Sequence, residues 1–298
     1  MIRTRHFFYA ALCLSAVVGV GAVLGFLNRE KVAVNIAQET FFKEPALVAK
    51  SAVVYDLRDG KIIFSKEADA QLPLASLTKI MTALAAVSAI PEGTSIQISE
   101  SDLRPEGDSG LQAGSLYKRD TLLSFALTAS SNDAAEALGV AAVAYAGNLP
   151  SVGDLLKSGA EESGLTGSYF LNPTGLDISS STAGAYGSAT DIAKLLGELS
   201  SKAPHVLEST TRDKIEIPGD TKKRTLSNTN PNAARTPGLL ASKTGYTDLA
   251  GGNLAIIFDA GLQHPVAIVV LGSTEEDRFT DVEKLISETR KAIAGDIK

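Results

Sequence analysis

The runs that read as strands fall at the two ends of this chain, and the pattern between them is helical. Near the start, Ser51-Ala-Val-Val-Tyr-Asp-Leu57 and Lys61-Ile-Ile-Phe64 enclose Arg58-Asp59-Gly60. An Asp-Gly turn between two β-rich runs is a strong hairpin signal, because glycine takes the positive φ that a tight turn requires. Near the end, Leu239 to Tyr246, Gly252 to Asp259 and Val266 to Gly272 are short and rich in Ile, Val and Leu, and Asp259 to Pro265 reads as a hairpin connection. Between them, apolar spacing predicts helices from Ser76 to just before Pro91, over Thr121 to Leu127, from Asp133 to about Tyr145, over Val152 to about Glu162 and over Thr190 to Leu199. A last helix is expected from about Glu275 to Ala294, with Leu285, Ile286 and Ile293 on its apolar side. Strands segregated from helices, rather than alternating with them, predict an α/β protein of the α+β type. The expectation is one antiparallel sheet built from both ends of the domain, flanked by helices, with a mainly helical insertion.

A chain of 298 residues, 44% hydrophobic and 21% charged, can bury a sizeable core in one large domain or two small ones. Its formal charge is -6 and its longest basic run is Lys222-Lys-Arg224, which argues against a nucleic-acid partner. The single cysteine, Cys13, allows neither an intrachain disulfide nor a cysteine-based metal site. It lies in the long apolar stretch Phe7 to Leu27, 21 residues without a charge. At ~1.5 Å per helical residue, that stretch matches the hydrocarbon thickness of a bilayer. Arg3 and Arg5 precede it, so the positive-inside rule puts the N-terminus in the cytoplasm and everything after residue 28 outside. A cleaved signal peptide and a retained anchor compete here. The length of the run, with no clean small-x-small site after it, favours the anchor. Leu12 before Cys13 argues against a lipobox and leaves Cys13 an inert apolar residue. The expected organisation is an anchor or signal segment over 1–28, a stalk over 29–46 and one folded domain over 47–298. The protein would then sit in the cell membrane through a single pass over residues 7–27, with its domain outside the cytoplasm.

The chain has three histidines, His6, His205 and His264. The first is at the membrane edge, the second follows Pro204 at a helix end, and the third precedes Pro265 in a hairpin turn. Each reads as a surface residue, which disfavours a Ser-His-Asp triad and a catalytic zinc site. A nucleophile activated by lysine remains. Two Ser-x-x-Lys strings are present, Ser76-Leu-Thr-Lys79 and Ser115-Leu-Tyr-Lys118. The second follows Gly114 and runs into Arg119-Asp120, where solvent and a neighbouring cation keep the lysine in its usual state. The first opens a helix that is apolar on nearly all sides, through Ile80-Met-Thr-Ala-Leu-Ala-Ala-Val87. Helical spacing puts Ser76 and Lys79 one turn apart on one face, and burial lowers a lysine pKa. Taken alone, Ser76 reads equally well as a helix N-cap.

Two further strings complete a constellation. Ser130-Ser-Asn132 lies at the break between two helical patterns, where a turn followed by a cap is the bland reading. Lys243-Thr-Gly245 lies in a β-rich run, where an edge strand can offer a cation, a hydroxyl and bare backbone to an extended peptide. A similar string, Lys157-Ser-Gly159, sits in a helical pattern, where the glycine reads as a helix stop. The order Ser76/Lys79, Ser130/Asn132, Lys243/Thr244, each on the element type its role requires, is far more specific than any one string.

Over about residues 48 to 294 the chain resembles the low-molecular-mass penicillin-binding proteins of the D-alanyl-D-alanine carboxypeptidase type, serine peptidases related to the class A β-lactamases. Beyond the three strings, the resemblance rests on Leu111-Gln-Ala-Gly114, Phe170-Leu-Asn-Pro-Thr-Gly-Leu-Asp177, Ser188-Ala-Thr-Asp-Ile-Ala193 and Lys243-Thr-Gly-Tyr-Thr-Asp248. It implies a β-lactamase/transpeptidase-like fold with no cofactor and no metal. The implied substrate is a peptidoglycan stem peptide ending in D-Ala-D-Ala, and β-lactams would be covalent inhibitors. Ser76 would attack, Lys79 accept its proton and Ser130 relay a proton to the leaving D-Ala. Asn132, Lys243, Thr244, Gly245 and Tyr246 would bind substrate, with the N–H groups of Ser76 and Tyr246 forming the oxyanion hole.

The chain departs from the family in three ways. Ser131 stands where the family usually has glycine. Anchoring is expected at the N-terminus, whereas relatives often use a C-terminal amphipathic helix after a small β-domain, for which this sequence is expected to be too short. The loop from Asn228 to Pro237, where helpers for carboxylate binding would lie, offers no assignable residue. A DD-endopeptidase fits the same strings. A class A β-lactamase would need a Glu-x-x-Leu-Asn setting, which Glu162-Ser-Gly-Leu165-Thr166 matches only in part. The intact strings argue against an inactive wall-binding module.

Overall fold

The computed structural model describes residues 42–107, 110–217 and 223–296. Its centre is a five-stranded sheet made of β1 (Ser51–Asp56), β2 (Lys61–Lys66), β3 (Leu239–Thr247), β4 (Gly251–Asp259) and β5 (Pro265–Ser273). The spatial order is β3-β4-β5-β1-β2, with every neighbouring pair antiparallel. The two ends of the chain meet where β1 pairs with β5, in a register that runs from Ser51 opposite Leu271 to Asp56 opposite Val266. The expected sheet built from both ends is therefore present, and β3, which carries Lys243, is an edge strand.

Both faces of the sheet are covered. Ala52, Val54, Ile256, Phe258, Ile268 and Val270 point to one side, where α6 (Asp277–Asp296) packs Val282, Leu285 and Ile293 onto them. Val53, Ala255, Ile257, Ala267 and Val269 point to the other, into the core formed with the helical insertion. Two buried faces explain why these strands read as near-continuous apolar runs instead of alternating ones.

The insertion contributes α1 (Thr78–Ala89), α2 (Arg119–Thr128), α3 (Asn132–Ala146), α4 (Val152–Glu162) and α5 (Ala189–Lys202). α5 lies on the sheet, and α1 is enclosed by the other four helices. Every residue of α1 from Thr78 to Ala86 is buried, Lys79 included. The helix that reads as apolar on nearly all sides is thus the central helix of the domain.

Several expectations are corrected. Short strands at Leu72–Pro73, Ser95–Gln97, Leu116–Lys118, Tyr169–Phe170, Ala185–Gly187, Lys214–Ile217 and Arg224–Ser227 are not evident in the sequence, because two to four residues carry no period. Gly159 does not stop a helix. α4 continues to Glu162, and a Cβ at Gly159 would lie 2.4 Å from Met81 Cε, so the glycine allows close helix packing. Ser76 is not an N-cap. It lies in a 3-10 turn, Ala75–Leu77, and α1 begins behind Leu77 with no side-chain cap.

His264 is not a surface residue. It is 8% exposed, and its Nε2 lies 2.6 Å from Asp56 Oδ2. Pairing of β1 with β5 brings the β1–β2 turn against the β4–β5 turn, so the imidazole folds inward onto a carboxylate. Asp56 Oδ1 also accepts the N–H of Arg58 and of Asp59. His205 is half-exposed, 3.5 Å from Asp120, and His6 falls outside the described residues. Among the described residues no helix is long and apolar enough to cross a membrane; Phe7 to Leu27 and the stalk to residue 41 lie outside them.

The turn before α1 is held in an unusual backbone state. Ala75 has φ 49°, a left-handed value that costs a non-glycine residue about 1–2 kcal/mol. Thr78 Oγ1 donates to Ala75 O at 2.7 Å. Asn253, fully buried on β4, donates from Nδ2 to Pro73 O and Leu74 O at 3.0 and 3.1 Å. Gly175, φ 79°, comes so close that a Cβ there would lie 1.9 Å from Ala75 O.

Two predictions follow from these contacts. Gly175→Ala is expected to cost at least ~2 kcal/mol more than Gly164→Ala in denaturant unfolding. Gly164 also has a positive φ, 65°, but open space around its Cβ position, so it isolates the collision from the backbone term. Asp56→Asn is expected to cost ~1.5–3 kcal/mol by losing charged hydrogen bonds. Burial pushes the Asp56 carboxyl up, but the Asp59 N–H, His264 and the Arg58 N–H outweigh it and hold the group below its ordinary 3.8. Its contribution is therefore present above pH 3.8 and is lost as pH falls through the lower folded value, which pH-dependent unfolding of wild type and Asp56→Asn will show.

Candidate active site

Three segments distant in sequence converge between the insertion and the edge of the sheet. The 3-10 turn presents Ser76 at the start of α1, where its side chain stays partly exposed. One turn on, Lys79 is fully buried, and its Nζ lies 2.8 Å from Ser76 Oγ. The same Nζ lies 2.7 Å from Asn132 Oδ1 and 2.7 Å from Thr174 O. Both of these are carbonyl oxygens that can only accept. A neutral amine spends its two N–H bonds on them and turns its lone pair toward the Ser76 hydroxyl. Burial lowers the Lys79 pKa from 10.5 to about 7, so that neutral form is accessible.

Ser130 occupies the break between α2 and α3 with φ 58°, a left-handed value that aims its side chain into the cleft instead of along a helix. Lys243 Nζ lies 2.8 Å from Ser130 Oγ and donates to Thr244 O at 2.8 Å. Burial, then the nearby charges of Lys79 and Arg278, push the Lys243 pKa well below its usual value. Ser131 has a purpose of its own: its Oγ accepts the Ala134 N–H at 3.1 Å and caps α3. A serine at this position therefore stabilises the helix that carries Asn132.

The third segment closes the site from β3. Lys243 and Thr244 are buried, and Gly245 sits where a Cβ would lie 2.9 Å from Leu74 O. That absence of a side chain lets the edge strand lie directly against the Ser76 turn. Tyr246 is 48% exposed. Direct contacts thus join Ser76, Lys79 and Asn132 in one group and Ser130, Lys243 and Thr244 in a second, with Gly245 and Tyr246 next along β3. The competing strings stay apart from this site. Lys118 is exposed on a short strand and donates to Gly93 O, and Lys157 is exposed on α4.

Sequence reading missed the groups that hold these residues. Asn172 Oδ1 accepts the N–H groups of Thr174 and Gly175, an Asx turn that orients the Thr174 carbonyl toward Lys79. Thr82 Oγ1 ties the same loop to α1 through Pro173 O at 2.7 Å. Arg278, buried at the start of α6, donates to Gly245 O at 2.8 Å. The Asn172-Pro-Thr-Gly string was visible, but its chemistry resides in a backbone carbonyl, which no residue type reveals.

Comparison with known proteins identifies the family. The family model described as D-alanyl-D-alanine carboxypeptidase matches residues 38–275. A D-alanyl-D-alanine endopeptidase of Escherichia coli is 28% identical over 84% of this chain and 79% of its own length. D-alanyl-D-alanine carboxypeptidase DacF of Bacillus subtilis is 30% identical over 82% of this chain and 62% of its own. The crystal structure of penicillin-binding protein D2 from Listeria monocytogenes, in its ampicillin-bound form, superimposes with a TM-score of 0.68 at 27% identity, covering 83% of this chain and 99% of that one. With the family model covering most of the chain, the protein belongs to the D-alanyl-D-alanine carboxypeptidase family of serine peptidases.

Proposed function

We propose that this protein removes the terminal D-Ala from peptidoglycan pentapeptides through an acyl-enzyme on Ser76. The observation that carries this reading is Lys79, a buried amine whose Nζ lies 2.8 Å from Ser76 Oγ and 2.7 Å from each of two carbonyl oxygens, Asn132 Oδ1 and Thr174 O. Ser76 Oγ attacks the carbonyl carbon of the penultimate D-Ala, and Lys79 takes the hydroxyl proton. The N–H groups of Ser76 and Tyr246 receive the oxyanion. Collapse breaks the peptide bond, and Ser130 relays a proton to the departing D-Ala amine. Water then attacks the ester and frees Ser76.

Substrate binding separates the roles of the two lysines. In the free site, burial holds both below their ordinary pKa, and the nearby charge of Lys79 lowers Lys243 further. A terminal carboxylate bound by Lys243 and Thr244 favours the charged form of Lys243. The positive charge then resides on Lys243, and Lys79 remains the neutral base. Asn132, fixed by Lys79 at one end and by the Glu106 carbonyl at the other, is placed to hydrogen-bond the peptide backbone. β-Lactams, which present a reactive carbonyl and a carboxylate at similar spacing, are expected to acylate the same serine; the ampicillin-bound Listeria structure supports this. The apolar stretch Phe7 to Leu27 supports placing the protein in the cell membrane with this domain outside the cytoplasm.

A DD-endopeptidase of cross-links is the second reading, supported by the Escherichia coli relative named as an endopeptidase. A monomeric pentapeptide and a cross-linked muropeptide dimer, offered at equal concentration, distinguish the two: preferential D-Ala release from the monomer is the expected result.

Two measurements test the mechanism. Fluorescent penicillin is expected to label the wild type and Ser115→Ala equally and Ser76→Ala not at all; labelling that survives in Ser76→Ala contradicts the assignment. The acylation rate is expected to fall about tenfold per pH step below about 7 and to level off above it, as Lys79 loses its proton. A rate that is flat from pH 5 to 9 contradicts Lys79 as the base.

A further inference from the structure

The loop that begins at Asn228 brings to the cleft a hydroxyl that the mechanism above does not use. In the free site Thr244 Oγ1 donates to Thr229 Oγ1 at 2.6 Å. At that separation one proton lies between the two oxygens, and each hydroxyl has a single proton to give. If Thr244 donates to Thr229, Thr244 faces the cleft with lone pairs only and repels a carboxylate. If Thr229 donates to Thr244, the Thr244 proton is free for the carboxylate. An anion in the cleft selects the second arrangement, and the chain O–H···O–H···O⁻ is strengthened as each bond polarises the next.

Thr229 is held in place from both sides. Asn228 Oδ1 accepts the Asn230 N–H at 2.8 Å, and Asn230 Oδ1 accepts the Asn232 N–H at 3.0 Å, two successive Asx turns. Asn228 Nδ2 donates to the carbonyls of Thr210 and Arg212 at 2.8 and 2.9 Å. The Thr210 hydroxyl and carbonyl in turn accept from Ser242 N–H and Ser242 Oγ, next to Lys243 on β3. The Thr229 N–H donates to Thr128 O at 3.1 Å, at the end of α2 and two residues before Ser130. Its backbone is thus fixed to the helical wall of the cleft, and its hydroxyl reaches the sheet wall.

We propose that Thr229 is a positioning residue of the terminal-carboxylate subsite. Its hydroxyl orients the Thr244 proton toward the peptide carboxylate and makes the site prefer a free C-terminal acid over its ester. The proposal rests on the D-Ala-D-Ala peptidase reading and adds to it a residue in the loop whose sequence offered no assignment.

The test uses the full chain as wild type, Thr229→Val and Thr229→Ser. Substrates are an acylated peptide ending in D-Ala-D-Ala and its C-terminal methyl ester, with benzylpenicillin and its methyl ester as a second pair. Thr229→Val is expected to lower kcat/KM for the acid about tenfold, mainly through KM, and to leave the ester within about twofold. Thr229→Ser is expected to restore the acid, and acylation by the penicillin pair to show the same contrast. An equal loss on acid and ester, or no loss on the acid, overturns the proposal. A wild type that is acylated by penicillin but releases no D-Ala counts against the peptidase reading alone, and the penicillin pair then decides the role of Thr229. A wild type that does neither overturns both.

Discussion

The site depends on a lysine placed where water cannot reach it. Lys79 has no exposed surface, and the first effect of that burial is to weaken its hold on a proton. A charged amine in such a place is costly, and an unpaired one more so. The fold meets this with three oxygen partners from three segments: its own helix turn, the start of α3 and the Asn172–Asp177 loop. The cost has a sign. An unfolded lysine keeps its proton up to about 10.5 and the folded one releases it near 7, so stability rises with pH between those values. The protein gives up stability near neutral pH to keep a base beside a serine.

That arrangement needs the architecture around it. The sheet forms only when the ends of the domain pair through β1 and β5, which sets β3 at the edge facing α1. Gly245 and Asn253 then fasten the strand and its neighbour to the turn that carries Ser76. Lys79 bonds to Asn132, and Lys243 lies against Ser130, so each buried lysine links a pair of segments as well as serving the chemistry. Positive φ at Ala75 and Ser130 marks the same place from the backbone side. Strain of this kind persists where surrounding contacts over-determine it, and here both instances flank the reacting groups.

Legibility followed period and residue type. Long elements were readable: α4 begins and ends where its spacing predicts, and β3 to β5 lie within a residue or so of their apolar runs. The six side chains at the centre were readable because their order and element types restrict one another. Tertiary contacts were not readable. His264 looks like a turn residue until strand pairing sets it against Asp56, and Gly159 looks like a stop until Met81 packs on it. Thr174 acts through its carbonyl and Arg278 through a bond to Gly245 O, and neither role leaves a trace in residue spacing.

The account turns on the protonation of one amine, which can be observed without any substrate. Carbon-13 NMR of the Lys79 Cε, assigned by comparison with Lys79→Arg, gives its titration directly. A midpoint near 7 is expected from the burial of this lysine. A midpoint close to the ordinary 10.5 would leave Lys79 charged at neutral pH, unable to take the Ser76 proton, and would contradict the central claim.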